Sequence, residues 1–234
     1  MNLSSENRML TGFTVEDWAR WQKNLALVEL QAGAVIFEAE QAVGHIYFPI
    51  TAIFSEMRLV MEGDSIEVAM IGHEGVAGVS SLMGNGTSFN RVVVLRAGTA
   101  YRAQGSWAKK EIEKSSLLMQ KMLWFSQALI TQMAQVSVCN CHHSLEQRLC
   151  RWILVYADRA DESPMLCTQE QLAQTLGVRR ERLAKAARTL QKNGLIQYVR
   201  GAIELIHREG IEQHACECYG LIQLAYARME AAGE

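Results

Sequence analysis

Between Thr168 and Lys192 the chain reads TQEQLAQTLGVRRERLAKAARTLQK, and its cations recur at a spacing suited to a polyanion. Residues 168–200 hold seven lysines and arginines against two acids, a local balance of +5. The whole chain is −2, so the remainder carries −7. Positive charge localised on an acidic chain is the footprint of docking on phosphate. An arginine fork can take both acceptors on a guanine edge, and a glutamate can accept from a cytosine amino group. On charge alone a solvated helix face explains the same residues equally well.

Two further groups have chemical potential. Gly72, Gly75 and Gly78 fall at steps of three, a pattern that lets backbone close on an anion and present its N–H groups. Cys139-Asn140-Cys141-His142-His143 is rich in ligand types. Cys139 and Cys141, however, are two apart and fall on different faces of a helix, and Cys216-Glu217-Cys218 meets the same objection. Buried or incidental thiols are therefore the expectation, and no metal site is assigned. His45, His73 and His142 are candidate haem ligands that nothing else in the sequence supports. No nucleophile elbow, P-loop, dinucleotide fingerprint or metalloprotease helix occurs, and Glu38 and Glu40 are isolated on β surface. No catalytic residue and no enzyme are expected.

The elements that must position the cations follow from local rules. Thr168 with Gln171 is a capping box that starts a helix near Gln169. Leu172, Ala173 and Leu176 give that helix an apolar stripe, and Gly177 stops it. Val178 is expected as a buried pivot. A second helix then buries Leu183, Ala186, Ala187 and Leu190 and ends at Asn193-Gly194. Leu195 to Val199 alternates like a strand, Arg200-Gly201-Ala202 turns, and Ile203 to Ile206 returns. A hairpin directly after a basic second helix predicts a winged helix-turn-helix.

Here the chain resembles the Crp/Fnr superfamily of bacterial transcription regulators. Thr168, Gly177, Arg180-Glu181 with Lys185, and Asn193-Gly194-Leu195-Ile196 carry the resemblance. It implies an Arg-Glu-x-x-x-Arg helix reading the core of a TGTGA-type half-site, with Arg180 on guanine and Glu181 on a cytosine amino group. Lys185 stands where the pattern has arginine and brings a point charge without a fork. Arg179, Arg182, Arg188 and the wing residue Arg200 would position the protein on phosphate, with Thr168 at the cap.

Upstream, a small helix capped by Thr14 is expected to bury Trp18 and, secondarily, Trp21. From Leu30 to Arg102 come short β-rich runs, Val35–Phe37, Ile46–Phe48, Ile53-Phe54, Ile66–Met70 and Arg91–Leu95, with turns at Gly33, Gly44, Gly63, Gly72 and Gly98. Such spacing suggests an all-β roll or barrel. The resemblance makes it a cyclic-nucleotide-binding-like sensor, a double-stranded β-helix, with Gly75, Gly78, Arg91 and Met133 at its ligand positions. Three of four polar anchors of a cyclic AMP site are replaced by apolar residues, so tight cyclic AMP binding is not expected; Arg91 is as well explained by pairing with an acid. No cofactor is assigned, and a small-molecule effector of unknown identity is left open.

Trp107 to Ser115 reads as a short polar helix and Ser116 to Cys141 as a long one with no glycine or proline. Within it Leu118, Met122, Phe125, Leu129, Gln132, Val136 and Cys139 alternate in steps of four and three, the seam of a two-helix dimer. Ser144 caps a further helix, Leu145 to Arg159; Asp161 to Pro164 is a linker; and Gly210 to Ala232 is an amphipathic helix expected beneath the wing.

The fold class is thus α+β: a sensor domain over 1–115, a dimerisation helix over 116–143 and a winged helix-turn-helix over 144–234. At 234 residues, 49% hydrophobic and 21% charged, the chain can bury such a core. It has no basic leader before an apolar run and no apolar stretch long enough to span a membrane, and all six cysteines lie in its second half. A cytoplasmic protein with reduced thiols is expected. Its partners would be double-stranded DNA and a second copy of itself, with RNA polymerase as a further candidate and no membrane. The alternatives are a redox-, metal- or haem-responsive regulator of the same fold, or a ligand-binding protein whose winged helix meets a protein partner.

Overall fold

The computed structural model describes residues 7–60, 64–83, 86–160, 164–199 and 201–233. Thr14 caps α1 (Val15–Gln22), its hydroxyl accepting from the Asp17 amide. Of the two tryptophans on α1, Trp21 is fully buried and Trp18 only half-buried, the reverse of the sequence expectation. Trp21 meets Trp107 edge-on at 4.9 Å and Phe48 at 5.8 Å, a geometry that aligns ring edges with ring faces.

Seven strands follow: β1 (Ala26–Leu30), β2 (Val35–Phe37), β3 (His45–Pro49), β4 (Ile53–Leu59), β5 (Ser65–Ile71), β6 (Arg91–Arg96) and β7 (Gly98–Gln104). They form two antiparallel sheets, ordered β1-β7-β3 and β2-β6-β4-β5. Tyr47 of β3 bridges them, its ring centroid 5.7 Å from Phe37 and 6.2 Å from Phe54. The β-rich runs seen in the sequence all lie in these strands; β1 and β7 are not among those runs. The Gly63 turn lies outside the described residues.

Helix α2 (Gly105–Lys114) leads to α3 (Ser116–His142), which Ser115 caps through the Leu118 amide. The proposed dimer seam is overturned here. Leu118, Met122, Phe125, Leu129, Gln132 and Val136 are each no more than 6% exposed within the single chain. Gln132 donates to the Met70 carbonyl of β5 at 3.1 Å, so the stripe is covered by the chain's own roll and C-terminal helix. A four-three repeat locates the most apolar face of a helix but not what covers it. A second four-three series, Ser116, Gln120, Leu123, Gln127, Ile130, Ala134, Ser137 and Cys141, is exposed throughout.

Then come α4 (Leu145–Ala157), ending two residues before the expected Arg159, β8 (Met165–Leu166), α5 (Gln169–Thr175), α6 (Arg180–Lys192), β9 (Ile196–Val199) and β10 (Ala202–Leu205). Strands β8, β10 and β9 make a small antiparallel sheet, the wing with a third strand. Linker residues 161–163 lie outside the described residues. The terminal segment is two helices, α7 (Arg208–His214) and α8 (Cys218–Gly233), broken at the extended Ala215. α7 packs on α4 and α8 along α3 rather than beneath the wing, which leaves Leu221 42% exposed.

Candidate nucleic-acid interface

The Thr168 hydroxyl accepts from the Gln171 amide at 3.2 Å, and Gln171 Oε1 accepts from the Thr168 amide at 2.9 Å. Such a cap stabilises a helix start by about 1 kcal/mol. Leu172, Ala173 and Leu176 are buried, which fixes the roll of α5. Gly177 then turns at φ +61°, and a Cβ there would sit 2.9 Å from Ile66 Cδ1 of β5. Val178 is half-buried rather than buried; the pivot is held by its amide, which donates to the Ala173 carbonyl at 2.9 Å.

On α6, Leu183, Ala186, Ala187 and Leu190 face inward and are buried. The opposite face must then carry Arg179, Arg180, Glu181, Arg182, Lys185, Arg188 and Lys192, and all seven are exposed. Among the described residues none of these cations is in an ion pair. Like charges three and four apart on a helix repel by a few tenths of a kcal/mol, roughly 0.2–0.5 per pair, a cost that a bound polyanion removes. Arg200, the wing residue expected on phosphate, lies outside the described residues.

What holds this unit against the roll was not foreseen. Trp152 Nε1 of α4 donates to Glu67 Oε1 at 2.9 Å, Ser55 Oγ donates to Glu67 Oε2 at 2.5 Å, and Gln174 Nε2 donates to Ser65 Oγ at 3.0 Å. Burial pushes the Glu67 carboxyl up to about 7, although the Ser55 and Trp152 hydrogen bonds and the Arg151 and Arg159 charges pull the other way. On a second contact, buried Arg159 donates Nε to Glu74 Oε1 at 2.7 Å, Nη2 to Gln132 Oε1 at 3.1 Å and Nη1 to the Val155 carbonyl at 3.0 Å. The Tyr226 ring of α8 covers it, 4.9 Å from the guanidinium carbon. Charged residues inside a strand or at a helix end normally read as solvent-facing, so only docking of one unit on the other reveals these.

The four residues assigned to a ligand do not converge. A Cβ on Gly75 would overlap Phe125 of α3, and Gly78, at φ +93°, sits over the His45 carbonyl. Arg91 lies 3.2 Å from Glu38 Oε2, out of line for a hydrogen bond, and lines a cleft of about 230 Å³ shared with Leu166 and Gln171. Met133 is half-buried on α3, where the neighbouring Gln132 points into the roll. Of the histidines weighed for haem, His45 and His142 are exposed and His73 half-buried.

With this geometry in hand, residues 147–214 match the family model described as the Crp-like helix-turn-helix domain. No curated protein matches the chain by sequence. Among solved structures, FixK2 from Bradyrhizobium japonicum is similar at a TM-score of 0.69 and 14% identity, covering 82% of this chain and 98% of its own. A Crp/Fnr-family regulator from Eubacterium rectale has the same TM-score at 15% identity, covering 86% and 94%. A CRP-family transcriptional regulator from Thermus thermophilus reaches 0.67 at 13% identity, covering 80% and 96%. At such identities the likeness is one of fold. Among the described residues no helix is long and apolar enough to cross a membrane.

Proposed function

We propose that this chain, which carries a Crp-like helix-turn-helix domain on the fold of the Crp/Fnr regulators, is a cytoplasmic transcription regulator that binds a near-palindromic operator as a homodimer. The observation that carries this is the outer face of α6, six exposed cations without ionic partners among the described residues over a buried apolar inner face. In this reading Arg180 takes a guanine edge and Glu181 a cytosine amino group, while Arg179, Arg182, Lys185, Arg188 and Arg200 lie along phosphate. Thr168, its hydroxyl engaged with Gln171, presents the start of α5 to the backbone.

The functional division is 1–115 for sensing, 116–143 for dimerisation and 144–234 for DNA. The dimer forms through the exposed series on α3, with Leu123 and Ile130, 57% and 60% exposed, as its apolar centre. Two α6 helices on a two-fold axis meet successive major grooves about 34 Å apart, which is why the operator repeats with inverted symmetry. RNA polymerase is the further partner such a regulator engages.

Selection of bound duplexes from a random pool tests this directly. It is expected to return two half-sites about 10 base pairs apart, centre to centre, with affinity falling steeply as salt rises. Recovery of no consensus, with salt-independent retention on DNA, refutes it.

A further inference from the structure

Three cysteines and one histidine that the DNA-binding reading leaves unused converge on one point. Cys139 lies in the last turn of α3 and His143 is the residue that caps it, its amide donating to the Cys139 carbonyl at 3.1 Å. Cys216 lies in the turn between α7 and α8, and Cys218 opens α8. In a continuous helix, two positions apart means about 200° around the axis, which would separate those thiols. The chain is not helical from Ala215 to Glu217, and both sulfurs turn toward α3.

Cys139 Sγ and Cys216 Sγ are 3.5 Å apart, and Cys218 Sγ lies 3.6 Å from His143 Nδ1. All four ligand atoms fall within 4.8 Å of one another. A tetrahedral ion about 2.3 Å from sulfur and about 2.0 Å from nitrogen sets its ligands roughly 3.5–3.8 Å apart, close to the 3.5 and 3.6 Å of these two pairs, with every other pair inside 4.8 Å. A disulfide would use only one pair and leave the Cys218–His143 approach without a purpose.

The surroundings fit the same chemistry. His143 Nε2 lies 3.2 Å from Glu217 Oε1, so a carboxylate stands on the ring nitrogen opposite the Nδ1 that faces Cys218. Three thiolates around a dication carry one net negative charge, and the buried Arg151 beside Cys139 balances it. The three cysteines are buried and His143 is 12% exposed at its side chain, so four protein ligands leave no open coordination position to water.

We propose that Cys139, His143, Cys216 and Cys218 bind one thiophilic divalent cation of the zinc class in a closed tetrahedral site that clamps the start of α8 to the end of α3. The clamp matters beyond its own neighbourhood. α8 runs along α3, and its Tyr226 covers Arg159, which ties Glu74 of the roll to Gln132 of α3. The cation thereby fixes the helix that lids the contact between the roll and the DNA-binding unit, whatever DNA that unit prefers.

Metal content of the full-length protein, purified without chelators or a metal-affinity column, is the test. The expected result is about one zinc per chain. After its removal, Co²⁺ should enter with the visible bands of a tetrahedral thiolate site, and melting temperature should drop in the metal-free protein. His143→Gln and Cys218→Ser should lose the metal, whereas Cys141→Ser, at an exposed thiol outside the set, should keep it. Because Cys139 lies in the interior and its serine variant can fail to fold, His143→Gln, checked by circular dichroism, carries the comparison. The proposal is overturned by fully reduced protein that holds no metal and takes up no Co²⁺. Equal metal loss in Cys141→Ser and Cys218→Ser, or a Cys139–Cys216 disulfide mapped in protein alkylated at lysis, overturns it too.

Discussion

Replacing Glu67 by glutamine isolates the charge at the contact between the two halves of the molecule. Glutamine keeps the shape, can accept from Trp152 Nε1 and can donate to Ser55 Oγ, but it never carries charge. In the native chain burial raises the Glu67 carboxyl from 4.5 to about 7. A raised carboxyl means that the folded state holds its proton where the unfolded chain has released it. Stability is therefore fully present at low pH and is lost as pH climbs from 4.5 through about 7. The separation of these two values corresponds to roughly 3 kcal/mol at pH 8 and about 1 kcal/mol at pH 5. Glu67→Gln should remove that loss, so its advantage over the native protein grows with pH by about 2 kcal/mol between those two conditions. Urea denaturation of both proteins at pH 5 and pH 8, followed by tryptophan fluorescence, measures the difference. Parallel stability profiles for the two proteins refute the reasoning, because the carboxylate would then be as well solvated in the fold as outside it.

Three further outcomes are expected. Arg180→Ala should cost about 1–3 kcal/mol on the selected operator and relax the preference at one base pair, while Arg188→Ala weakens cognate and scrambled duplexes alike; band shifts on both DNAs separate the two roles. Ile130→Glu should shift the protein toward monomer in sedimentation with its melting temperature nearly unchanged. Leu129→Ala, one residue away but facing the interior, should instead destabilise the fold by roughly 2–5 kcal/mol and leave the oligomeric state alone. Calorimetry with cyclic AMP should detect no low-micromolar binding, since Gly75 lies under Phe125 and Arg91 faces Glu38.

Local rules were enough to write α5, the Gly177 turn and the two faces of α6 from the sequence. The Thr168–Gln171 cap, the positive φ of Gly177 and the spacing of Leu183, Ala186, Ala187 and Leu190 act within a few residues and need no distant partner. The β-rich runs were legible for the same reason, because alternation along a strand is set by the pleat. Tertiary structure alone decided which face of α3 is covered, because the roll and α8 compete with a second chain for one apolar stripe and only their placement settles the outcome. It turned Glu67, Glu74 and Arg159 from apparent surface charges into interior contacts, since burial belongs to what docks on a residue and not to the residue. It also gathered Cys139, His143, Cys216 and Cys218 across more than seventy residues of chain. Helical spacing argued those thiols apart, and the break after His214, which no nearby residue announces, brought them together.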